Sequence, residues 1–351
     1  MANNTRTTGL VLALLLACPA AGCSSANQTE EPVVWPSESV TREITFSSGD
    51  YEIVGDLVLP GGEGPYPAVI AVHGSGPQTR NSIPGYWDLR NTLTEHGFAL
   101  FSWDKPGSGE STGNIDLPIT QRSAILSDGV SLLADLPEID STRVGLWGLS
   151  QAGWVMPKAL ESTDEAAFMI SVSGGAEDSI EQTTYLVSRQ LLCRGGTDED
   201  VRIVEEVGAN VFKAASYNEY RAAAESVYAV PDIQLVYPFE IVGEEEWSPP
   251  SPGVDIESYF DPMTVVRELS IPVFAVYGEL DKNIDPVQGA EAYAAAFATG
   301  GHELSEVELI PGVGHTMQEQ ESGCIGEPAG AVSERYLELL DKWLGLMATE
   351  L

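Results

Sequence analysis

Apolar segments alternate with amphipathic segments along most of the chain, and this alternation predicts both the elements and their arrangement. The pattern predicts strands at residues 68–72, 98–103, 144–147, 168–172, 271–277 and 304–310. Apolar residues at helical spacing predict helices at residues 86–96, 119–136, 152–160, 287–297 and 331–344. Strands that alternate with helices imply right-handed crossovers, so we expect a mainly parallel sheet with helices on both faces.

Two further segments precede the first of these strands and extend the sheet. Residues 40–46 and 52–59 alternate polar and apolar positions around the turn at residues 47–50. Because this is the pattern of an antiparallel hairpin, we expect the sheet to begin with it and to contain about eight strands.

One interval, between residues 173 and 271, interrupts the alternation. It is too long for a loop. Helical periodicity occurs within it at residues 180–192, 199–211 and 219–227. The sequence therefore predicts a helical cap over residues 176–265, inserted into an α/β core that is formed by residues 40–175 and 266–351.

The amino terminus has the features of an export signal. A positive charge at Arg6 precedes an apolar run over residues 9–17, and small residues lead to Cys23. The run is too short for a comfortable membrane span, which favours cleavage. The segment resembles a bacterial lipoprotein signal, and the resemblance implies a signal peptide over residues 1–23, a lipid anchor on Cys23 in the cell envelope, and a polar tether over residues 24–39. Secretion after cleavage nearby is the alternative.

The charge balance argues against one class of partner. Acidic residues outnumber basic residues 53 to 17, and the formal net charge is -36. A surface of this sign repels polyanions, so we do not expect nucleic acid or an anionic membrane surface to bind through charge. The membrane association that we expect is the lipid anchor alone. The excess of carboxylates also keeps a protein soluble.

The cysteines and histidines give no sign of a metal site. Metal-ligand spacings such as CxxC and HExxH do not occur, so we expect neither a metal nor another cofactor. Outside the signal segment the cysteines are Cys193 and Cys324. In an exported protein such a pair can form a disulfide, and two buried thiols are equally compatible with the sequence.

A candidate nucleophile lies at the junction of a predicted strand and a predicted helix. Ser150 stands in the segment GLSQAG at residues 148–153. A nucleophile elbow requires this setting, because the sharp turn raises the serine hydroxyl above the edge of the sheet. Small residues two positions before and after the serine avoid a clash, and Gly148 and Ala152 meet this requirement. The usual motif has glycine where this chain has Ala152.

A serine hydroxyl needs a general base and a group that orients the base. Of the four histidines, His315 follows the last predicted strand in a glycine-rich loop at the carboxyl edge of the sheet, where α/β active sites collect. Asp281 follows the predicted strand at 271–277 and lies between the serine and the histidine in chain order. We therefore assign Asp281 as the acid, while Glu279 and Asp285 are near enough in sequence to compete.

The oxyanion of a tetrahedral intermediate needs hydrogen-bond donors. Backbone amides in the turns after two adjacent strands can supply them. One turn is HGSGP at residues 73–77, and the other begins directly after Ser150. We predict an oxyanion hole formed by the backbone amides of Ser75 and Gln151. His73, which ends the strand before the first turn, is a candidate for ordering that turn.

Five motifs, in this order, resemble those of the α/β-hydrolase superfamily. They are HGSGP at 73–77, WDKPGSGES at 103–111, GLSQAG at 148–153, GELD at 278–281 and GVGH at 312–315. More narrowly, they resemble bacterial carboxylesterases related to dienelactone hydrolase and to prolyl oligopeptidase. The resemblance implies the α/β-hydrolase fold, with Ser150, Asp281 and His315 as the catalytic triad.

The predicted function is hydrolysis of a carboxylic ester in a small-molecule substrate. Ser150 attacks the carbonyl, His315 accepts the proton, and water then hydrolyses the acyl-enzyme. Peptidase, amidase and thioesterase activities would use the same residues, so the sequence leaves them open. A non-catalytic binding lipoprotein at the cell surface is the alternative from another class, favoured by Ala152 and by the acidic cap. The sequence predicts no oligomeric state.

Overall fold

One eight-stranded sheet organises the part of the chain that the computed structural model describes, namely residues 39–115, 117–163, 165–237, 240–249, 260–300 and 302–351. The predicted signal peptide, its Cys23 and all of the predicted tether except its last residue lie outside the described residues. Within those ranges, no helix combines the length and the apolar composition that crossing a membrane requires.

The sheet has the predicted hairpin at one edge and parallel strands over the rest. The strands are β1 (Val40–Ser48), β2 (Tyr51–Leu59), β3 (Tyr66–Val72), β4 (Ala99–Trp103), β5 (Ile139–Leu149), β6 (Ala166–Val172), β7 (Val273–Gly278) and β8 (Glu306–Ile310). They lie in the order β1-β2-β4-β3-β5-β6-β7-β8. β2 is antiparallel to both β1 and β4, and all other neighbours are parallel. The predicted α/β-hydrolase fold with eight strands is confirmed.

Helices cover both faces of this sheet, and further helices are inserted between β6 and β7. The helices are α1 (Tyr86–Glu95), α2 (Ile119–Ala134), α3 (Ala152–Leu160), α4 (Ser179–Cys193), α5 (Asp198–Ile203), α6 (Ala209–Lys213), α7 (Tyr217–Tyr228), α8 (Ile233–Val236), α9 (Met263–Val266), α10 (Pro286–Gly300) and α11 (Glu334–Glu350). Helices α2, α3 and α10 pack on one face and α1 and α11 on the other. In β3, Ile70 and Val72 join the first core and Val69 and Ala71 the second, which explains its uninterrupted apolar sequence.

Three elements illustrate how the structure differs from the predicted ranges. β5 begins at Ile139, because this residue pairs with β3 although the residues after it are partly exposed and polar. α11 begins at Glu334, because the Ser333 hydroxyl accepts the N–H of Tyr336 and caps the helix. The predicted helix at 199–211 is divided into α5, a π-helical segment and α6.

Helices α4 to α8 lie in the interval between β6 and β7 and have a small apolar core of their own. Its buried members are Leu186, Val187, Leu191, Val204, Val227, Val230 and Ile233. A disulfide joins Cys193, at the end of α4, to Cys324 in the segment after β8. The Gln190 side-chain oxygen accepts the N–H of Ile325 at 3.0 Å beside it. These links attach the inserted helices to the loop that contains His315.

Candidate active site

Ser150 occupies a strained turn between β5 and α3. Its φ is 60°, in the left-handed region that residues other than glycine rarely adopt. Its N–H donates to the Val172 carbonyl of β6 at 2.9 Å, and its carbonyl accepts the N–H of Gly153 at 2.8 Å. The half-buried serine is therefore held at the carboxyl edge of the sheet by the neighbouring strand β6 and by the start of α3.

The small residues around Ser150 are required by close contacts, including the unusual alanine. A Cβ atom at Gly148 would lie 2.5 Å from the Ala152 Cβ, so an alanine fits at 152 because position 148 is glycine. A Cβ atom at Gly153 would collide with the backbone nitrogen of Gly175, in the loop after β6. The turn therefore needs glycine at 148 and 153, and it accommodates Ala152.

The structure brings the predicted acid and base together. Asp281 follows β7 and is 1% exposed. One of its carboxylate oxygens, Oδ2, lies 2.7 Å from His315 Nδ1. The other oxygen accepts the N–H groups of Asn283 at 2.8 Å and Ile284 at 3.1 Å. These bonds fix the carboxylate, which in turn orients the imidazole.

The two competing carboxylates have other partners. Glu279 accepts the N–H of Gly312 at 3.3 Å. Asp285 accepts two N–H groups at the start of α10, from Val287 and Gln288, each at 3.1 Å. Neither of these bonds involves His315, so the geometry favours Asp281 among the three.

Ser150 and His315 lie at the same edge of the sheet. Leu149, directly before the serine, and Thr316, directly after the histidine, line one small cavity. Among the hydrogen bonds of the described residues, none joins Ser150 to His315. In proteins without substrate such a bond is often long and shortens only in the reactive complex.

The predicted oxyanion turn lies directly against the serine. A Cβ atom at Gly74 would be 3.3 Å from the Ser150 Cβ and 3.2 Å from the Leu149 carbonyl oxygen. This places the turn that contains Ser75 next to the turn that contains Gln151, as a two-sided oxyanion hole requires.

Two buried cations that the sequence analysis did not select hold this turn. Lys105, in the segment after β4, is 3% exposed, and Arg122, on α2, is 6% exposed. Both donate to backbone carbonyls of residues 73–76. The sequence contains a signal for Arg122, because it stands among the apolar positions of an amphipathic helix. Lys105 lies in the WDKPGSGES motif, but the motif does not indicate which groups the lysine binds.

The remaining histidines have hydrogen-bond or aromatic partners outside the triad. His73 is buried, and its Nε2 lies 3.3 Å from the Thr79 carbonyl oxygen. Burial, together with the positive charges of Arg122 and Lys105, lowers the pKa of His73 to about 3, so it stays neutral. His96 Nε2 lies 2.8 Å from an oxygen of Asp341, and the His302 ring packs 5.3 Å from that of Phe297.

No group of three or more His, Cys, Asp or Glu side chains that could hold a metal ion occurs in the described ranges.

The first of the inserted helices, α4, contacts the loop after β7 that contains Asp281. Tyr185, on α4, donates its hydroxyl to the backbone carbonyl of Asp281 at 3.0 Å. Gln182, one turn earlier, donates to the Asn283 carbonyl at 2.7 Å. α4 therefore helps to fix the backbone on both sides of Lys282, next to the proposed acid.

A buried carboxyl group, Glu177, lies where the chain leaves the sheet for α4. It is 6% exposed, and it accepts the N–H of Ala176 at 2.9 Å. Burial is the main cause that raises the pKa of Glu177 to about 8; the bond from Ala176 opposes the shift, and the charges of Asp285, Glu181 and Asp281 add to it. At neutral pH Glu177 is therefore mainly protonated.

We expect Glu177→Gln to reduce the pH dependence of stability. The pKa of Glu177 is about 8 in the fold against an ordinary value of 4.5. Between pH 5 and 8 the native state therefore binds more protons than the unfolded state. The free energy of unfolding falls as the pH rises through this range, and Glu177 contributes up to about 1.4 kcal/mol per pH unit to the fall. Glutamine removes the titration, so the variant gains stability relative to the wild type between pH 5 and 8.

Urea unfolding of both proteins at intervals of half a pH unit measures this difference. Glu291→Gln, at an exposed position of α10, is the matched control and should follow the wild type. If the stability difference between Glu177→Gln and the wild type is constant across the window, the raised pKa is wrong.

The sequence and fold are similar to those of known esterases. The profile of a family described as Esterase FrsA-like matches residues 21–170. An uncharacterized 31.7 kDa protein of Escherichia coli, from the traX-finO intergenic region, is 26% identical over 262 residues, which are 71% of this chain and 84% of that protein. Esterase EstD of Thermotoga maritima is 23% identical over 257 residues, which cover 71% of this chain and 54% of EstD.

The solved structure of an esterase from Pyrococcus furiosus superposes with a TM-score of 0.55 at 14% sequence identity, covering 88% of this chain and 90% of that chain. The family profile includes Ser150 but ends before β7 and β8, which precede Asp281 and His315. Together, the sheet order, the strained serine turn and these similarities show that the chain has the fold of the α/β hydrolases and support an enzyme of the hydrolase class.

Proposed function

We propose that the protein is a serine hydrolase that cleaves carboxylic esters through an acyl-enzyme intermediate. The observation that supports this most strongly is the bond between Asp281 and His315, at the edge of the sheet where Ser150 occupies a strained turn. A strained serine at the same sheet edge as an oriented imidazole is an arrangement that favours nucleophilic catalysis.

In the proposed reaction the Ser150 hydroxyl oxygen attacks the ester carbonyl carbon while His315 Nε2 accepts its proton. Asp281 accepts the hydrogen bond from Nδ1 and stabilises the imidazolium that forms. The carbonyl oxygen becomes an oxyanion, which accepts hydrogen bonds from the backbone amides of Ser75 and Gln151. Collapse breaks the bond to the leaving oxygen, which takes the proton from His315 and departs as the alcohol, and the acyl group stays on the Ser150 oxygen. Water, activated by the same histidine, then releases the acid and restores the serine.

Esters are proposed as substrates because two of the similar proteins are esterases, EstD and the Pyrococcus furiosus esterase. The proteins that match over two thirds or more of this chain include EstD and the Pyrococcus furiosus esterase. Their sequence identities are low, so the substrate assignment rests on the shared fold and on the chemistry of the site together.

The test is a panel of substrates combined with covalent labelling. We expect the protein to hydrolyse short-chain aryl esters, and a serine-reactive phosphonate to add its mass to the peptide that contains Ser150. Activity confined to peptidyl amides or to thioesters would overturn the ester assignment while keeping the nucleophile. Inertness to every substrate and to the phosphonate would favour the non-catalytic binding protein.

A further inference from the structure

The turn beside Ser150 is held by its carbonyl groups, and the donors are two buried cations. Lys105 Nζ donates to the carbonyls of Gly74 and Gly76, each at 2.9 Å. Arg122 Nη2 donates to the carbonyl of His73 at 2.6 Å. Three of the four carbonyls of residues 73–76 therefore point toward a positive charge.

The direction of these carbonyls determines the direction of the amides. A trans peptide unit is planar, and its C=O and N–H point in opposite directions. The carbonyl of Gly74 and the N–H of Ser75 belong to one such unit. Because Lys105 fixes that carbonyl on its own side, the N–H of Ser75 must point to the other side of the peptide plane. Gly74 packs against the Ser150 Cβ, so a small rotation of this unit changes the distance from the amide to any oxyanion formed there.

Arg122 connects this turn to the other half of the site. One guanidinium nitrogen binds the His73 carbonyl, and a second binds the side-chain oxygen of Gln151. The planar guanidinium holds its two donors in fixed relative positions. It thus sets the spacing between the turn at 73–76 and Gln151, the residue that follows Ser150. The proposed oxyanion donors are one backbone amide from each of these two places, those of Ser75 and Gln151.

The same cations favour negative charge at this location. Lys105 and Arg122 are both almost fully buried, so solvent screens them weakly. A charge that binds the carbonyl of a peptide unit also polarises that unit and strengthens hydrogen bonding by its N–H group. An oxyanion that accepts the Ser75 N–H benefits from both effects, while a neutral ester carbonyl benefits less.

We propose that Lys105 and Arg122 are positioning residues of the oxyanion hole: Lys105 orients and polarises the Ser75 amide, and Arg122 fixes the spacing between the two oxyanion turns. This inference rests on the proposed serine-hydrolase function. It adds that transition-state stabilisation depends on two cations that do not touch the substrate.

We expect Lys105→Met to lower kcat for an aryl ester about 10- to 100-fold with KM changed by less than about 3-fold, because a displaced oxyanion donor weakens the transition state more than the bound ester. The affinity for an alkyl boronic acid, which forms a tetrahedral adduct with a nucleophilic serine, should fall by a similar factor. A role in folding alone would lower the melting temperature without a matching loss of boronate affinity.

Arg143→Met is the matched control, since Arg143 also donates to a backbone carbonyl, that of Ala348 at 3.0 Å, on the far side of the fold. It is expected to alter stability but not kcat. Arg122→Lys and Arg122→Met provide a second test, independent of whether Lys105→Met folds. The lysine variant keeps the charge and one donor, so it should retain more kcat and more boronate affinity than the methionine variant.

The proposal is overturned if folded Lys105→Met, or folded Arg122→Met, keeps kcat and boronate affinity within about 2-fold of the wild type. It is also overturned if kcat falls while boronate affinity does not. Ser150→Ala separates this failure from failure of the proposed function. If Ser150→Ala loses activity while the cation variants keep it, only the positioning role is wrong; if Ser150→Ala stays active, the serine mechanism itself is wrong.

Discussion

Ser150→Ala is expected to lower kcat for aryl ester hydrolysis by roughly 10⁶-fold, because the variant has no nucleophile to form the acyl-enzyme. The fold should persist. The backbone strain of a φ of 60° is about the same for alanine as for serine. The backbone hydrogen bonds to Val172 and Gly153 do not involve the hydroxyl, so they remain. Steady-state kinetics with a short-chain aryl ester, together with thermal unfolding of both proteins, measures the two expectations separately.

Ser173→Ala is the control for this experiment. Ser173 also has a positive φ, of 44°, and also follows a central strand, but it is fully buried. Its hydroxyl has no hydrogen-bond partner within the described structure. Removal of an unsatisfied buried hydroxyl costs little stability, and substrate cannot reach this position, so kcat should stay close to the wild-type value. A large loss in Ser173→Ala, or activity retained in Ser150→Ala, would show that the wrong serine was assigned.

The sequence predicted the sheet well because parallel strands buried on both faces are visible as uninterrupted apolar runs. β3 is the clearest case, since neighbouring residues such as Val69 and Ile70 enter different cores. The start of β5 could not be predicted in this way, because its first residues after Ile139 are partly exposed and are fixed by pairing rather than by burial. No feature of the sequence predicts the π-helical segment that divides the helix expected at 199–211.

Contacts between distant parts of the chain are what the sequence could not predict. Cys193 and Cys324 are 131 residues apart, and only the fold shows that they form a disulfide. Arg122 is an isolated charge on an apolar helix face. Its bond to the His73 carbonyl depends on how α2 packs against the face of the sheet. Lys105 belongs to the WDKPGSGES motif, but the motif does not show what its side chain binds. Only the fold brings the ammonium group to its acceptors, the carbonyls of Gly74 and Gly76.

Chain order selected Asp281 for the acid, and the structure gives a reason to prefer it over its neighbours. Asp281 bonds to His315, while Glu279 bonds to a backbone amide and Asp285 caps α10. The catalytic role of Asp281 nevertheless stays a prediction, which a substitution that preserves shape can test.

We expect Asp281→Asn to lower kcat about 10⁴-fold with little change in the melting temperature, through the wrong tautomer of His315. One carboxylate oxygen accepts the N–H groups of Asn283 and Ile284, so the oxygen of asparagine should take that position. Its NH₂ group then faces His315 Nδ1, which must accept rather than donate. The ring proton moves to Nε2, and this nitrogen can no longer take the proton from Ser150.

The controls for Asp281→Asn are Glu279→Gln and Asp285→Asn, which make the same change in charge within four residues of it. Both should keep kcat within a few-fold of the wild type, because neither side chain bonds to His315 in the arrangement described above. Asp285→Asn should instead lower stability by about 0.3 to 1 kcal/mol, because asparagine keeps the cap of α10 but loses the negative charge that favours a helix N-terminus. If Glu279→Gln loses activity and Asp281→Asn does not, the acid has been misassigned, and the loop after β7 must rearrange when substrate binds.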